Sequence, residues 1–409
     1  MLKNKNILIS VIGMGYVGLP LANHLSKKFK TIGFDINKKK ILRLKIGYDD
    51  TKELDKINKN LKFTSKLSDL KKTNVFILCL PTPINKNKKP DLKILENSLS
   101  EISKIFKLND TIIIESTFYP GATESLVNKY LGKKFESINI GYSPERINPG
   151  DKKNTIAKIT KVISANNENT LNLMKKIYGS INKNNIFFAK NIKVAEAAKL
   201  IENVQRDLNI GLINELTKIF HKLNISIHEV LQASNTKWNF LKFKPGLVGG
   251  HCIGVDPYYL KFICDKIKFE PKVFMSARNT NEDMIRYYNK IISNILKKKN
   301  KILYLGVSFK ENTNDLRNSK NLELLKILSK NYSIDFYDPL VKDIDLKKYN
   351  ISKIKRIVYD VVILAVPHKI LLQFLRNNLK VILKKGGIFI DLNKNFKRIK
   401  KNTYKYITL

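Results

Sequence analysis

Ile7-Leu8-Ile9-Ser10-Val11-Ile12-Gly13-Met14-Gly15-Tyr16-Val17-Gly18 joins a short β-branched apolar run to a G-x-G-x-x-G pattern, and Leu19 to Phe29 continues with helical spacing. An apolar run of this length reads as a strand buried on both faces, so the stretch is strand, glycine turn, helix. The first Gly permits a tight turn, the second lets a pyrophosphate approach the backbone, and the third lets the helix pack on the strand. Alone, the glycine pattern is weak evidence; its context gives it value. Lys30-Thr31-Ile32-Gly33-Phe34-Asp35 supplies that context, a second strand ending in a carboxylate about twenty residues past the glycines. A carboxylate there accepts hydrogen bonds from ribose hydroxyls and repels a 2′-phosphate, which favours NAD over NADP. The plainer reading makes Asp35 a cap for the next helix.

Further apolar runs end in the same way. Val75-Phe76-Ile77-Leu78-Cys79-Leu80 runs into Pro81-Thr82-Pro83, and Thr111-Ile112-Ile113-Ile114-Glu115-Ser116-Thr117 breaks at Tyr119-Pro120-Gly121. In a doubly wound sheet ligands sit at the carboxyl ends of the strands, which places Thr82 and Thr117 to meet the cofactor; ordinary turn hydroxyls are the alternative. Gly141-Tyr142-Ser143-Pro144-Glu145-Arg146 ends another strand at that edge and adds a carboxylate. From Ala195 to Leu223 the spacing predicts a long helix with Lys199 and Asn203 on one face. Two such polar groups usually just meet water. With a thiol and a NAD site elsewhere in the chain, they are candidates for holding a developing oxyanion. A helix of this kind between two α/β lobes would also make a dimer core.

Gly249-Gly250-His251-Cys252-Ile253-Gly254-Val255-Asp256-Pro257-Tyr258 sets a cysteine and a carboxylate in a Gly- and Pro-bounded turn, where backbone can approach a ligand closely. Cys252 reads either as a nucleophile or as a small buried hydrophobe, and Asp256 as a functional carboxylate or a turn former. His251 is tempting as a base, although adjacent residues in a turn often point apart. A helical region from Ala277 to Lys299 leads to Lys301-Ile302-Leu303-Tyr304-Leu305-Gly306, with later strands at Ser333 to Asp338, Val361 to Val366 and Gly387 to Asp391. This last α/β lobe lacks a second G-x-G-x-x-G. Its first strand opens instead into Ser308 to Ser319, rich in groups that could bind a second nucleotide.

At 409 residues the chain is long enough for two or three domains. Cys79, Cys252 and Cys264 show no paired spacing, which argues against a disulfide framework and a structural zinc site; no metal is expected, and a reducing, cytoplasmic compartment fits. The net charge of +41 would ordinarily raise nucleic acid or an anionic membrane as partner. The lysines are spread through every segment among Asn and Ile, however, so no specific nucleic-acid binding is expected. Met1-Leu2-Lys3-Asn4-Lys5-Asn6 ahead of the first apolar run mimics a signal peptide, but Gly13, Gly15, Gly18 and Pro20 interrupt that run. No other window is long and apolar enough for membrane insertion.

Taken together, the fingerprint, Glu115-Ser116-Thr117 with Pro120-Gly121, Ser143-Pro144-Glu145-Arg146, Lys199 with Asn203, Gly249 to Tyr259, and Phe309-Lys310 with Arg317 resemble the UDP-sugar 6-dehydrogenases of the UDP-glucose/GDP-mannose dehydrogenase family. The resemblance covers nearly the whole chain. It implies an α/β protein with an N-terminal Rossmann NAD-binding domain over 1–190, a central helical dimerisation region with the cysteine loop over 191–298, and a C-terminal Rossmann-like UDP-binding domain over 299–409. It also implies oxidation of a sugar C6 hydroxyl to a carboxylate in two hydride transfers to NAD, through a thiohemiacetal and thioester on Cys252. Lys199 and Asn203 would stabilise the negative oxygen, Asp256 and Thr117 would order or activate water, and Glu145 would assist thioester hydrolysis. Gly13, Gly15, Tyr16, Val17, Gly18, Asp35, Lys40, Thr82, Thr117 and Arg317 fall on cofactor positions. Glu145, Lys199, Asn203, Leu241, Lys242, Phe243, Lys244, Pro245, Gly249 and Lys310 fall on positions that hold the nucleotide sugar.

Two departures bear on the substrate. The UDP-glucose branch has a second carboxylate four residues after Glu145, where this chain has Pro149, and many members carry an Arg before the cysteine loop, where this chain reads Thr236-Lys237-Trp238-Asn239-Phe240. Both resemble the branch that oxidises UDP-N-acetylhexosamines, in particular the UDP-N-acetylglucosamine 6-dehydrogenases of capsule and O-antigen pathways. UDP-N-acetylgalactosamine, UDP-N-acetylmannosamine and UDP-glucose stay open as substrates. A two-electron alcohol dehydrogenase, with Cys252 dispensable, and a NAD-dependent binding protein using its basic surface are the other classes.

Overall fold

The structure, a computed structural model, describes residues 7–51, 53–134, 136–147, 153–341, 351–355, 358–396 and 404–409; Met1 to Asn6, with Lys3 and Lys5, lie outside these. By its contacts the chain forms two units, residues 1–202 with 258–269, and residues 203–257 with 270–409.

In the first unit the opening apolar run forms β1 (Leu8–Ile12), and the fingerprint leads into α1 (Gly18–Leu25). There follow β2 (Lys30–Phe34), α2 (Lys38–Lys45), β3 (Lys62–Thr64), β4 (Val75–Leu78), α3 (Lys93–Ile102), β5 (Thr111–Ile114), α4 (Ala122–Leu131), β6 (Asn139–Tyr142), β7 (Lys161–Ala165), α5 (Glu168–Asn182) and β8 (Ile186–Phe188). The sheet order is β3-β2-β1-β4-β5-β6-β7-β8, parallel except where β7 meets β6. β1 lies between β2 and β4, with Leu8 opposite Lys30 and Ile9 opposite Val75, so the strand order reverses at its edge. Every residue of β4 and β5 is buried, as helices on both faces require of such apolar strands.

The first helix closes at Leu25, earlier than its spacing suggests, and β4 and β5 stop at Leu78 and Ile114. The cause at the strand ends is a side chain. Leu80 N–H donates to Ser116 Oγ at 3.0 Å and the Ser116 hydroxyl donates to Leu80 O at 2.7 Å, which replaces the ladder there. β3, β7 and β8 carry no pattern that marks them in the sequence; β8 is a three-residue edge with Phe187 and Phe188 exposed.

α6 (Ile192–Lys222) supplies the first unit up to Glu202 and the second unit from Asn203. α7 (Ile227–Ser234), α8 (Asp256–Lys266) and α9 (Lys272–Ile295) follow. α9 buries Arg278, Asn281, Ile285, Tyr288 and Ile292, a spacing of three and four that makes one face. The second sheet then collects β9 (Ile302–Leu305), α10 (Lys320–Leu328), β10 (Ile334–Tyr337), β11 (Ile351–Lys353), β12 (Tyr359–Leu364), α11 (Lys369–Ile382), β13 (Leu383–Asp391) and β14 (Lys405–Thr408). Its order, β11-β10-β9-β12-β13-β14, is parallel throughout and repeats the core order of the first sheet. No helix among the described residues is long and apolar enough to cross a membrane.

Only one of the two lobes has a dinucleotide turn. Gly13 takes φ +98°, and a Cβ there would meet Cys79 O at 2.6 Å; a Cβ on Gly18 would lie 2.0 Å from Gly13 O. Gly15 differs, because its Cβ would meet no atom within 4 Å. In the second lobe Gly306 repeats the first position at φ +84°, but Val307, Ser308 and Phe309 follow and no helix begins before Lys320. The amide cradle is therefore absent there.

Gly18→Ala is expected to lower stability by about 3 kcal/mol, read as a lower thermal midpoint by circular dichroism. Gly15→Ala should keep the wild-type midpoint.

Candidate active site

The cofactor cradle is built at the end of β1. Gly13 N–H donates to Phe34 O at 2.8 Å, which ties the turn to β2. Asp35, at the tip of β2, accepts from Met14 N–H at 3.1 Å, from Asn37 N–H at 2.9 Å and from the Lys40 ammonium at 2.7 Å. A carboxylate has about four lone-pair positions, so one remains for a ribose hydroxyl. The open space at Gly15, the amides at the start of α1 and the carboxylate of Asp35 fit a dinucleotide, whose pyrophosphate Gly15 would admit and whose ribose Asp35 would hold. Tyr16 and Val17 lie half-buried in the same turn.

At the ends of the neighbouring strands, Thr82 Oγ1 donates to Thr117 O at 3.0 Å, and Tyr259 Oη donates to Thr82 O at 2.8 Å. Deeper in this unit is a group of charges. Lys161 Nζ stands 2.8 Å from Glu115 Oε2 and 3.2 Å from Glu145 Oε2, and Tyr178 Oη donates to Glu115 Oε1 at 2.7 Å. The lysine and Glu115 are almost wholly shut off from solvent. Burial would drive the Lys161 ammonium towards neutrality, but Glu115 and Glu145 outweigh it and raise its pKa. The two carboxylates part company. Burial pushes Glu115 up in spite of Lys161. Burial also acts on Glu145, yet Lys161 and the N–H groups of Ile147 and Arg146 hold it below the usual range. Environments that split a carboxylate pair in this way suit acid–base work.

The cysteine loop belongs to the second unit. Cys252 is exposed on a turn, with Val255 and Asp256 N–H both donating to its carbonyl, at 3.0 and 2.9 Å. Asp256 starts α8 and is buried; Asn203 Nδ2 donates to its Oδ2 at 2.5 Å. The loop is braced from behind. Arg278, fully buried, donates to Asp207 at 2.7 Å and reaches the Ile253 carbonyl at 3.4 Å. Asn281 donates to Asp207 as well, and Asn214 links Asn281 to both N–H and C=O of Gly246. Burial pushes the Asp207 carboxyl up to about 6, with Arg278 pulling the other way.

The same loop leans on the segment that replaces the second fingerprint. A Cβ on Gly249 would lie 2.5 Å from Asn318 O, and one on Gly250 2.7 Å from the Phe309 ring, so glycine is required at both. His251 Nδ1 is turned towards Asp315 at 3.7 Å, and burial followed by the nearby Arg317 lowers its pKa, which keeps the ring neutral. Arg317 itself pairs with Asp315 at 2.7 Å. Lys310 is half-buried in this segment, while Leu241, Lys242 and Lys244 are exposed and Phe243 and Pro245 are more covered. Pro149 lies outside the described residues, as do Asn148, Gly150 and Asp151. Trp238 is 92% exposed.

Thus Gly13, Gly15, Gly18, Asp35 and Lys40 gather at one turn, Thr82 meets Thr117, Asn203 meets Asp256, and Gly249 meets the segment carrying Lys310 and Arg317. Lys199 is buried on α6, one turn before Asn203. Lys161, Tyr178, Asp207, Asn214, Arg278 and Asn281 are absent from the sequence reading. One signal was available: Lys199, Asn203, Asp207 and Asn214 recur at spacings that make a polar stripe on α6, and a polar stripe that continues along a buried helix has partners.

Residues 7–182 match the NAD binding domain of the UDP-glucose/GDP-mannose dehydrogenase family, residues 193–283 its central domain and residues 303–398 its UDP binding domain. The UDP-N-acetyl-D-glucosamine 6-dehydrogenase of Pseudomonas aeruginosa is 42% identical over 408 residues, covering 95% of this chain and 97% of that protein. That of Salmonella typhi is 41% identical over 407 residues, covering 94% and 96%. The solved structure of a UDP-D-ManNAc dehydrogenase from Pyrococcus horikoshii superposes with a TM-score of 0.84 at 28% identity, over 98% of this chain and 99% of that one. The chain belongs to the UDP-glucose/GDP-mannose dehydrogenase family. It is an NAD-dependent oxidoreductase of nucleotide sugars, with N-terminal NAD-binding, central and C-terminal UDP-binding domains.

Replacing Asp35 by Asn should weaken NAD binding about tenfold and improve NADP relative to it, because Lys40 then faces a 2′-phosphate unopposed. Titration of protein fluorescence with each dinucleotide reads both constants.

Proposed function

We propose that this enzyme oxidises the C6 hydroxyl of UDP-N-acetyl-D-glucosamine to the carboxylate by a four-electron route through Cys252. The observation that carries the route is an exposed thiol one helical turn before a buried carboxylate, on a loop braced by a fully buried arginine. The two relatives above, 41% and 42% identical along almost their whole lengths, support the substrate.

When bound, NAD accepts the hydride in each of the two oxidations. The rest is done by side chains. Cys252 adds as thiolate to the C6 aldehyde, giving a thiohemiacetal whose oxidation leaves a thioester. Lys199 and Asn203 donate to the oxygen that becomes negative, and the grip of Asn203 on Asp256 ties that donor to the cysteine loop. Asp256 and Thr117 order water. Glu145 takes a proton from the water that cleaves the thioester. Lys310, with Gly249 and the stretch Leu241, Lys242, Phe243, Lys244 and Pro245, holds the nucleotide sugar, and Arg317 serves the cofactor. Exposed Leu212 and Ile219 along α6, with Leu223 just past its end, suit a second copy of the chain, so a homodimer is part of this proposal. The reduced thiol suits a cytoplasmic enzyme.

UDP-N-acetyl-D-mannosamine is the second reading, favoured by a relative from Methanocaldococcus jannaschii that is 33% identical over 395 residues. The acetamido epimers and UDP-glucose are therefore compared in parallel. Two NADH per UDP-N-acetyl-D-glucosamine consumed is the expected ratio; a ratio of one would sink the thioester route. Cys252→Ala should lower the rate of acid formation about a thousandfold or more while leaving NAD binding intact.

A further inference from the structure

Lys161 has no role in the reaction outlined above, yet it is a fully buried cation set between two buried carboxylates at the strand ends of the NAD-binding unit. Its position is fixed from several directions. It begins β7, the strand that runs antiparallel to β6, and its backbone N–H donates to Asn185 O at 3.0 Å. Its ammonium lies 5.3 Å from the centre of the Tyr178 ring, on α5, while the Tyr178 hydroxyl holds Glu115.

Glu145 is held just as firmly. Oε1 accepts from Arg146 N–H at 2.6 Å and Ile147 N–H at 2.8 Å, and Oε2 accepts from Lys161 at 3.2 Å. Of the roughly four lone-pair positions on a carboxylate, the one left open is on Oε2, the oxygen that Lys161 grips. That is where a proton from water would land.

Resting on the reading of Glu145 as the base for thioester hydrolysis, we propose that Lys161 is a positioning residue for that step: anchored by Glu115 and Tyr178, it aims Glu145 Oε2 and keeps it in the proton-accepting form. In the step, the water oxygen bonds to the thioester carbon and the water proton passes to Glu145 Oε2. The carbon–sulfur bond breaks, and Cys252 leaves as thiolate with the electron pair. Nothing is oxidised or reduced.

Among the described residues, the groups packed around Glu145 leave Lys161 as the cation that governs it. Cys79, at the end of β4, and Tyr178 are both pushed up by burial and then by Glu115, so both stay neutral. Glu115 is raised by burial, so of the two carboxylates Glu145 is the readier to be ionised. The Arg146 guanidinium is turned to Thr160 O at 3.1 Å and Glu202 at 2.7 Å. Among the described residues, Lys161 is thus the cation in contact with the carboxylate. Removing it must make Glu145 hold its proton to higher pH.

The test follows the acyl-enzyme directly. Enzyme, NAD and UDP-N-acetyl-D-glucosamine are mixed and quenched between about pH 5 and pH 9, and intact-protein mass spectrometry reads the fraction of chains carrying the sugar acyl group. Wild type should accumulate it only at the acid end. Lys161→Met should accumulate it about one pH unit or more higher, Lys161→Arg should restore the wild-type profile, and Glu115→Gln, which keeps the cation, should not move the profile upward. A Lys161→Met profile with the wild-type midpoint and merely a lower rate overturns the proposal, as does an upward shift in Glu115→Gln. Glu145→Gln separates the two levels: it should accumulate acyl-enzyme at every pH. If it clears the thioester like wild type, the reading of Glu145 itself has failed.

Discussion

Asp35 and Asp338 occupy the same place in the two lobes, at the tip of the second strand, and each accepts the N–H of the residue that follows the first strand's glycine. A second backbone N–H, of Asn37 or Leu340, closes the same carboxylate from the other side. This paired capture ties the first two strand ends together and sets the turn from which each lobe opens. The third partner then separates the lobes. Asp35 meets Lys40, whose side chain is half-exposed and leaves one lone-pair position of the carboxylate unused. Asp338 meets His368, fully buried, whose Nε2 lies 3.2 Å from it and 3.1 Å from Ser308 Oγ, while Nδ1 accepts from Asn312 N–H at 2.8 Å. In the second lobe the ribose position is plugged by an imidazole. The same histidine orders the segment that carries Lys310.

Charge buried in an α/β core is costly unless it is paired, and losing one partner of a buried pair costs about 3–5 kcal/mol. Such pairs occur here at the strand ends of one unit and behind the cysteine loop of the other. Lys161 with Glu115 and Glu145 stiffens the strand ends of the NAD-binding unit. Arg278 with Asp207 stiffens the cysteine loop of the other unit through the Ile253 carbonyl. The Arg278 pair adds to the side-chain ties that Asn203 makes to Asp256 and Asn318 makes to the Gly250 carbonyl. The loop's glycines add the complementary constraint: Gly249 and Gly250 admit the backbone of Asn318 and the ring of Phe309, so the loop and the UDP-binding lobe's first connection are packed as one layer.

Much of the cofactor site is legible in the sequence because its parts are near neighbours along the chain. The β1 run, Gly13, Gly15, Gly18 and Asp35 follow one another within a single strand–helix–strand unit, and the turn chemistry of each glycine is local. Cys252 and Asp256 are legible for the same reason, being joined through one turn of backbone. The strand ends at Leu78 and Ile114 are less so, since it is the hydroxyl of Ser116, 36 residues from Leu80, that ends the ladder.

Composition and spacing by themselves determined two α/β lobes, a NAD turn in the first of them alone, a long intervening helix and a candidate thiol. Those features depend on the pattern of a few consecutive residues and on what glycine, proline and aspartate permit locally. The tertiary structure alone decided which polar residues are buried and with whom: Lys161 finds Glu115 from 46 positions away, Arg278 finds Asp207 from 71, and His368 finds Asp338 from 30. A lysine, arginine or histidine in a chain this basic looks like surface. Only the folded chain, by removing water from a few of them, makes their partners obligatory.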